Sequence, residues 1–253
     1  MEIITSRKNP VVSHFRKLAA DRDYRRETGL FLGQGRKLLE EALASGTELD
    51  TVLYSGEAPA LPRHVRCLKT TEDVIAGISP MKSAPDFLFS CVLPAPAPLA
   101  QGRLLLAEDL QDPGNVGTMA RTAAAFGFDG FLLAGACADP WGPKAVRASM
   151  GAVFRLKIWE MPTLESVSAL KERALPLYAA ALQEPAMEAG RFRFPDAFAL
   201  AIGNEGHGLS EALLQAAEAS VRIPMMPGAE SLNAAAAAAV LMWESYRGRE
   251  KHV

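Results

Sequence analysis

Residues 198–211 read FALAIGNEGHGLSE, and this stretch decides the fold class. The continuous apolar run Phe198–Ile202 is typical of a strand buried on both faces of a parallel sheet. Glycines at 203, 206 and 208 interrupt it, and the following LSEALLQAAEA predicts a helix. Since glycine lets a ligand come close to the backbone, the sequence predicts a strand, a candidate ligand loop and a helix.

The same unit recurs along residues 103–247. RLLLAEDL and VRIPM predict strands, and each precedes a predicted helix, with Asn115 and Ser231 as the expected N-caps. GFLLAG, AVFRLKIWE and PLYAAAL predict further strands, and KAVRASMG and LESVSALKERA predict helices. Repeated units of this kind predict an α/β fold with a mostly parallel sheet. Ligands bind beyond the carboxyl ends of such strands, so residues 109–117, 203–209 and 224–232 are candidate ligand loops.

A Pro- and Ala-rich stretch, CVLPAPAPLAQG at residues 91–102, predicts an extended spacer. We therefore expect one domain at 1–93, a linker at 94–102 and a second domain at 103–253. In the first region VVSHFRKLAADRDYRR and RKLLEEALASG predict helices, whereas Leu30–Leu32 and DTVLYS predict strands. This alternation indicates a small α/β domain.

Composition excludes several classes of protein. The 253 residues contain no apolar run of the ~20 residues that cross a bilayer, and the N-terminus lacks the apolar core of a secretory signal. Three separated cysteines match neither a metal site nor a disulfide framework, so we expect a cytoplasmic protein without a metal. The net charge is −2, yet residues 1–40 hold nine Lys and Arg against five Asp and Glu. This segment could bind phosphate or be a solvated helix face.

Two side chains in the loops suggest chemistry. Arg121 follows Asn115 in an Ala-rich helix, from which a long cation could reach a phosphate or polarise a hydroxyl, or simply lie at the surface. Glu205 would repel a phosphate but suit a hydroxyl, an amine or a sulfonium. The absence of G-x-G-x-x-G and of a Walker lysine argues against a dinucleotide or a triphosphate. Taken singly, each loop could also be an ordinary turn.

Taken together and in order, the three loops resemble the motifs of the SpoU family in the SPOUT superfamily of RNA methyltransferases. The matching residues are Asn115-x-Gly117-x-x-x-Arg121-x-x-Ala124, Gly203-Asn204-Glu205-Gly206-x-Gly208-Leu209, and Ile223-Pro224-Met225 followed by Glu230-Ser231-Leu232-Asn233. The resemblance spans residues 104–247 and includes RASMGA at 147–152. ITSRKNPVVSHFRKL and GLFLGQGRKLLEEAL are similar to the family's substrate-binding domain, with Gln34 where the family often has Glu.

The resemblance implies a C-terminal trefoil knot, a homodimer, S-adenosylmethionine as the cofactor, and methylation of a ribose 2′-oxygen, in ribosomal rather than transfer RNA. It implies cofactor binding by Gly203, Asn204, Ile223, Pro224, Met225 and Leu232. It assigns the catalytic site to Asn115, Arg121, Glu205, Ser231 and Asn233, with Arg121 as an electrostatic activator. RNA binding is expected at Arg7, Lys8, Arg36 and Lys37.

One departure from the family pattern leaves the function open to a second interpretation. Ala235 stands where many family members have Ser, so a role of that hydroxyl must be absent or supplied elsewhere. The chain could therefore be a non-catalytic RNA-binding protein that retains the fold. It could also be a nucleotide- or NAD-binding enzyme, methylate a base nitrogen, or act on transfer RNA.

Overall fold

A computed structural model describes residues 3–79, 84–183, 185–228 and 231–248. In chain order the elements are β1 (Ile3–Ile4), α1 (Pro10–Ala20), α2 (Arg22–Thr28), β2 (Leu30–Gln34), α3 (Arg36–Ala44), β3 (Leu49–Tyr54), β4 (Arg66–Thr70), α4 (Glu72–Ala76), β5 (Phe87–Val92), β6 (Arg103–Glu108), α5 (Pro113–Ala125), β7 (Gly130–Ala134), α6 (Pro143–Ala148), β8 (Lys157–Met161), α7 (Thr163–Glu172), β9 (Leu177–Ala180), β10 (Ala186–Glu188), β11 (Phe198–Ile202), α8 (Glu211–Ala216), β12 (Ala219–Arg222) and α9 (Ala234–Arg247).

The chain forms two compact units, Met1–Pro96 with Asp139–Phe154, and Ala97–Ala138 with Arg155–Val253. The expected second domain, 103–253, therefore differs from the observed unit, because residues 139–154 pack within the first unit. Arg25 Nε donates to Asp139 Oδ2 at 2.9 Å in a nearly buried ion pair. The rings of Trp141 and Phe31 lie 5.0 Å apart. These contacts are between residues distant in sequence, so no local pattern indicated them.

The first unit contains a mixed sheet in the order β1-β4-β3-β5-β2. Helix α1 covers it with the buried side chains of Val12, Phe15 and Leu18. The single helix predicted for residues 11–26 is wrong, because Asp21 leaves the helical conformation and starts α2. Its carboxylate accepts from the backbone N–H groups of Asp23 and Tyr24, which satisfies the free donors at the start of a helix.

The second unit contains a sheet in the order β10-β12-β9-β11-β6-β7-β8, and every strand pair in it is parallel. This confirms the predicted α/β fold class. The central strands β6 and β11 are buried throughout, as their apolar sequences require. The three candidate loops follow β6, β11 and β12, so all lie at the carboxyl edge of one sheet.

Several strands differ from the sequence prediction. VRIPM predicts a strand over 221–225, but β12 ends at Arg222. AVFRLKIWE begins with a 3-10 turn, Ala152–Phe154, and only Lys157–Met161 forms a strand. Strand β10 was missed because its three residues carry no apolar alternation long enough to detect.

Residues 97–102 of the predicted spacer are part of the second unit. The Ala97 carbonyl accepts from Trp159 Nε1 at 2.8 Å, and the Leu99 carbonyl accepts from Arg173 Nε at 3.1 Å. The Leu99 side chain joins the apolar core. Among the described residues, no helix is long and apolar enough to cross a membrane.

Candidate active site

Three polar side chains, one from each of the three sequence motifs, form a hydrogen-bonded network. Asn115 Nδ2 donates to Glu205 Oε1 at 2.6 Å, and Asn233 Nδ2 donates to Asn115 Oδ1 at 3.2 Å. These residues are separated by 90 and 118 positions in sequence. Their meeting at the carboxyl edge of the sheet marks this edge as the candidate active site.

Helix caps explain why these amides are available. The N-cap of α5 is Asp112, whose carboxylate accepts from Gly114 N at 2.9 Å, so the predicted capping role of Asn115 is wrong. The N-cap of α9 is Asn233 rather than Ser231. Asn233 Oδ1 accepts from Ala235 N at 2.9 Å, which leaves its Nδ2 free to donate to Asn115.

The glycine loop turns back on itself directly after β11. The backbones of Asn204 and Gly208 exchange hydrogen bonds of 3.1 and 3.0 Å. A Cβ at Gly203 would lie 2.2 Å from the Gly208 carbonyl carbon, so only glycine fits there. Gly208 itself has a φ of 72°. This tight turn presents Glu205 in an exposed position.

The side chain of Asn204 is already engaged. Its Nδ2 donates to the Asp109 carbonyl at 2.8 Å, and its Oδ1 accepts from Gly206 N at 2.7 Å. Asn204 therefore ties the glycine loop to the loop after β6. A role in cofactor binding would be limited to its backbone.

An apolar cleft of about 520 Å³, part of it open to solvent, lies beside the third loop. Among its lining residues are four expected site residues: Ile223, Met225, Ser231 and Leu232. The other walls come from the ends of β9 and β12 and from α9, with Ala180, Leu182, Val221 and Leu241. Pro224 lines an adjoining cleft, whereas Gly203 and Asn204 are not among the lining residues of either. Glu230, part of the third motif, lies outside the described residues.

Arg121 is exposed on α5 and does not join the network. Within the described ranges its side chain has no hydrogen-bond or ion-pair partner. Arg121 lies six positions after Asn115. On an α-helix this offset is about 9 Å along the axis and about 120° around it. Because helical side chains lean towards the N-terminus, its long side chain can shorten that gap.

The expected RNA-binding residues of the first unit are all exposed. Arg7 Nε donates to Asp73 Oδ2 at 3.0 Å, so part of its charge is offset. The Arg36 guanidinium lies 4.8 Å from the centre of the Phe87 ring. Lys8 and Lys37 complete the set.

Comparisons with known proteins agree with this geometry. The model of the SpoU rRNA Methylase family matches residues 102–243, and that of the MRM3-like substrate binding domain matches residues 9–88. The chain belongs to the SpoU rRNA methylase family. The predictions of the family and of an RNA methyltransferase enzyme are thereby confirmed.

Two relatives of this SpoU protein match it over more than nine tenths of their own length. The chain is 33% identical to the 23S rRNA (guanosine(2553)-2′-O)-methyltransferase RlmP of Bacillus subtilis, over 96% of this chain and 98% of that protein. It is 32% identical to the 23S rRNA (uridine(2479)-2′-O)-methyltransferase of Streptomyces viridochromogenes, over 97% and 92%. The AdoMet-bound rRNA methyltransferase from Sinorhizobium meliloti has a TM-score of 0.87 at 28% identity and covers 98% of each chain.

Sequence reasoning missed Glu108, at the end of β6. Its buried carboxylate accepts from Ser210 N at 2.7 Å and from Thr163 Oγ1 at 3.0 Å. The next residue, Asp109, has a left-handed φ of 51°, and its backbone carbonyl accepts the hydrogen bond from Asn204 Nδ2. Two acids that end an apolar strand were the available signal. In this SpoU protein they anchor both ends of the glycine loop and thereby position Glu205.

Two further side chains limit the chemistry at this edge. Ala235 is buried at 5% exposure, and its N–H bonds Asn233, so no hydroxyl is supplied there. Cys137 packs below the loop after β6 and accepts from Leu110 N at 3.3 Å. Burial raises the pKa of the Cys137 thiol to about 11, which keeps it neutral near pH 7 and unsuited to act as a nucleophile.

Proposed function

We propose that this SpoU protein transfers a methyl group from S-adenosylmethionine to a ribose 2′-oxygen of ribosomal RNA. The observation that carries the proposal is the network of Asn115, Glu205 and Asn233, which joins the three family motifs beside an apolar cleft. The names of the two relatives, both 23S rRNA 2′-O-methyltransferases, and the AdoMet-bound structure support the reaction and the cofactor.

The cleft suits this cofactor. Its lining is mostly apolar with a few polar groups, which is usual for small-molecule sites. The apolar side chains of Ile223, Met225 and Leu232 would hold the adenine ring, with the Ser231 hydroxyl nearby as a polar contact. When bound, S-adenosylmethionine supplies an electrophilic methyl group on a positively charged sulfur.

The remaining residues would orient the ribose. Asn115 donates to Oε1 of Glu205, which leaves Oε2 to accept the hydrogen bond of the 2′-hydroxyl and to take up its proton when the 2′-oxygen bonds the methyl carbon. The guanidinium of Arg121 is a poor base, because this group keeps its proton in proteins. We therefore assign it an electrostatic role, in which its charge lowers the pKa of the hydroxyl and holds the adjacent phosphate. Alignment of the hydroxyl with the methyl carbon supplies much of the rate.

We further propose that the protein is a cytoplasmic homodimer with a C-terminal trefoil knot. Val240 and Trp243 are 40% and 46% exposed on one face of α9, which is an apolar surface that a second copy could cover. The knot is favoured by the return of α9 from β12, which lies next to the edge strand β10, to pack against α5 and β11. The three cysteines are thiols rather than disulfides, which fits a reducing compartment.

The N-terminal domain, 1–93, is proposed to bind the RNA substrate. The match of residues 9–88 to a substrate-binding domain and the exposed cations Lys8, Arg36 and Lys37 support this role. The two relatives named above modify a guanosine and a uridine, so the family match leaves the target base open.

Transfer of a labelled methyl group tests the proposal. The purified protein is incubated with methyl-labelled S-adenosylmethionine and protein-free 23S ribosomal RNA, and the RNA is digested to nucleosides. We expect a labelled 2′-O-methyl nucleoside and little label in transfer RNA. A labelled base would refute the ribose assignment. Calorimetric binding of S-adenosylmethionine without any methyl transfer would favour a non-catalytic RNA-binding protein, and binding of NAD instead would refute the cofactor.

A further inference from the structure

A cleft lined by arginines lies in the second unit, away from the candidate active site. It is formed by the loop after β10 and the last turn of α9, and it encloses about 810 Å³ including its open mouth. Among the described residues, its charged lining consists of Arg191, Arg193 and Arg247 and one acid, Glu244. Three guanidinium groups at one cleft contrast with the net charge of −2 of the whole protein. We call this feature the arginine cleft.

An aromatic anchor holds two of these arginines in place. The rings of Phe192 and Phe194 lie 5.1 and 5.4 Å from that of Tyr178, and Phe194 also stacks on Phe198 at 4.7 Å. Both phenylalanines are partly buried, whereas the alternating Arg191 and Arg193 are exposed. The loop is therefore fixed by its apolar side chains, so less conformational entropy is lost when the arginines bind a ligand.

Nearby carboxylates orient the guanidinium groups without cancelling them. Glu188 pairs with Arg191 at 3.0 Å and with Arg222 at 2.8 Å, and Glu244 pairs with Arg247 at 2.7 Å. Within the described part of the chain, Arg193 has no acidic partner. Among the described residues, the three arginines that line the cleft exceed the two acids that pair with them, so the cleft keeps a positive charge.

We infer that the arginine cleft binds the phosphodiester backbone of the RNA substrate. The inference rests on the proposed function, since it assumes that RNA is the substrate. Each guanidinium can donate two parallel hydrogen bonds to phosphate oxygens. A cleft with several guanidinium groups therefore suits a phosphate backbone better than an apolar partner. Helix α9 has 14 residues and connects the network residue Asn233 to Arg247. At 1.5 Å per residue the two ends are about 21 Å apart, which is about six stacked nucleotides at ~3.4 Å each. The cleft would therefore fix the RNA at a second point, away from the target ribose.

A double substitution, Arg191→Gln with Arg193→Gln, tests the inference without altering α9. The matched control, Lys157→Gln with Lys171→Gln, removes two exposed positive charges elsewhere in the same unit. Binding of protein-free 23S ribosomal RNA is measured by filter binding between 0.05 and 0.5 M KCl. Loss of two phosphate contacts, at ~0.7 counterions each, predicts a salt slope lower by about 1.4 and an affinity about 20-fold weaker near 0.1 M salt. The control should leave the slope within error of the unmodified protein.

The outcomes separate this inference from the proposed function. In methyl transfer we expect the KM for RNA to rise in the cleft variant, with kcat and the Kd of S-adenosylmethionine nearly unchanged. An unchanged salt slope in a variant that still binds the cofactor would overturn the cleft assignment, even if methyl transfer were normal. A changed sedimentation coefficient with an unchanged slope would assign the cleft to contacts between two copies instead. Inorganic phosphate that competes as well as RNA would show a site for a free anion, and no methyl transfer by the unmodified protein would refute the proposed function itself.

Discussion

Replacing Asn115 by Ala removes the central member of the network that joins the three motif loops. The change deletes a donor to the carboxylate of Glu205 at 2.6 Å and an acceptor for Asn233 at 3.2 Å. A hydrogen bond to a charged group contributes about 1.5–3 kcal/mol, and a neutral one about 0.5–1.5 kcal/mol. Both partners are exposed, so water replaces part of this energy.

We therefore expect Asn115→Ala to cost about 1.4–2.7 kcal/mol of transition-state stabilisation, which is a 10- to 100-fold fall in kcat/KM for RNA. Steady-state methyl transfer measures this fall, and calorimetry should show a Kd for S-adenosylmethionine within a few-fold of that of the unmodified protein. Because Asn115 is not a helix cap, the free energy of unfolding should change little.

Two variants make the result specific. Thr118→Ala, one turn further along α5, removes an exposed hydroxyl that donates to the Gly114 carbonyl, and should leave activity within about twofold. Asn233→Ala breaks the same network but also removes the N-cap of α9, and should cost about 1 kcal/mol of stability as well. If Asn115→Ala retained kcat/KM within twofold, the network would have no part in orienting Glu205.

Four further substitutions, two of them with a comparison variant, test the rest of the site and the fold. Arg121→Ala should lower kcat by about 100-fold or more with cofactor binding within a few-fold, and a loss of binding by calorimetry would contradict its assigned role. Glu108→Gln should lower kcat/KM about tenfold, and denaturant titrations should show the unfolding free energy lower by about 1–3 kcal/mol. Thr163→Val removes one hydrogen-bond donor to Glu108 and should lower both quantities by less. Gly203→Ala should displace the glycine loop and reduce methyl transfer at least about tenfold, whereas Gly206→Ala, where a Cβ would meet only the Asn204 side chain at 3.3 Å, should be nearly neutral. Burial lowers the pKa of His14 from its ordinary value of 6.5, so the unfolded chain takes up a proton before the folded protein does, and stability should fall as the pH drops from 7 to 5. In urea titrations His14→Gln should flatten this dependence of the unfolding free energy on pH. If the dependence were the same in the variant, His14 would not be its cause.

Local sequence patterns predicted most of the second unit. Continuous apolar runs such as Phe198–Ile202 indicated buried parallel strands, and the parallel sheet confirms them. Patterns failed where an element is short, as for β10, or where several polar residues could cap the same helix, as for Asp112 against Asn115. In the second case the choice depends on side-chain geometry, which composition does not encode.

The sequence by itself predicted most strands and helices of the second unit in their order, and the three loops that carry polar residues after apolar strands. It did not determine that Asn115, Glu205 and Asn233 touch, because those contacts depend on the order of β6, β11 and β12 in the sheet. Tertiary structure alone also showed the buried carboxylate of Glu108 and the engaged side chain of Asn204. The physical reason is that periodicity reports which face of an element is buried, whereas a polar contact between distant residues depends on which elements become neighbours.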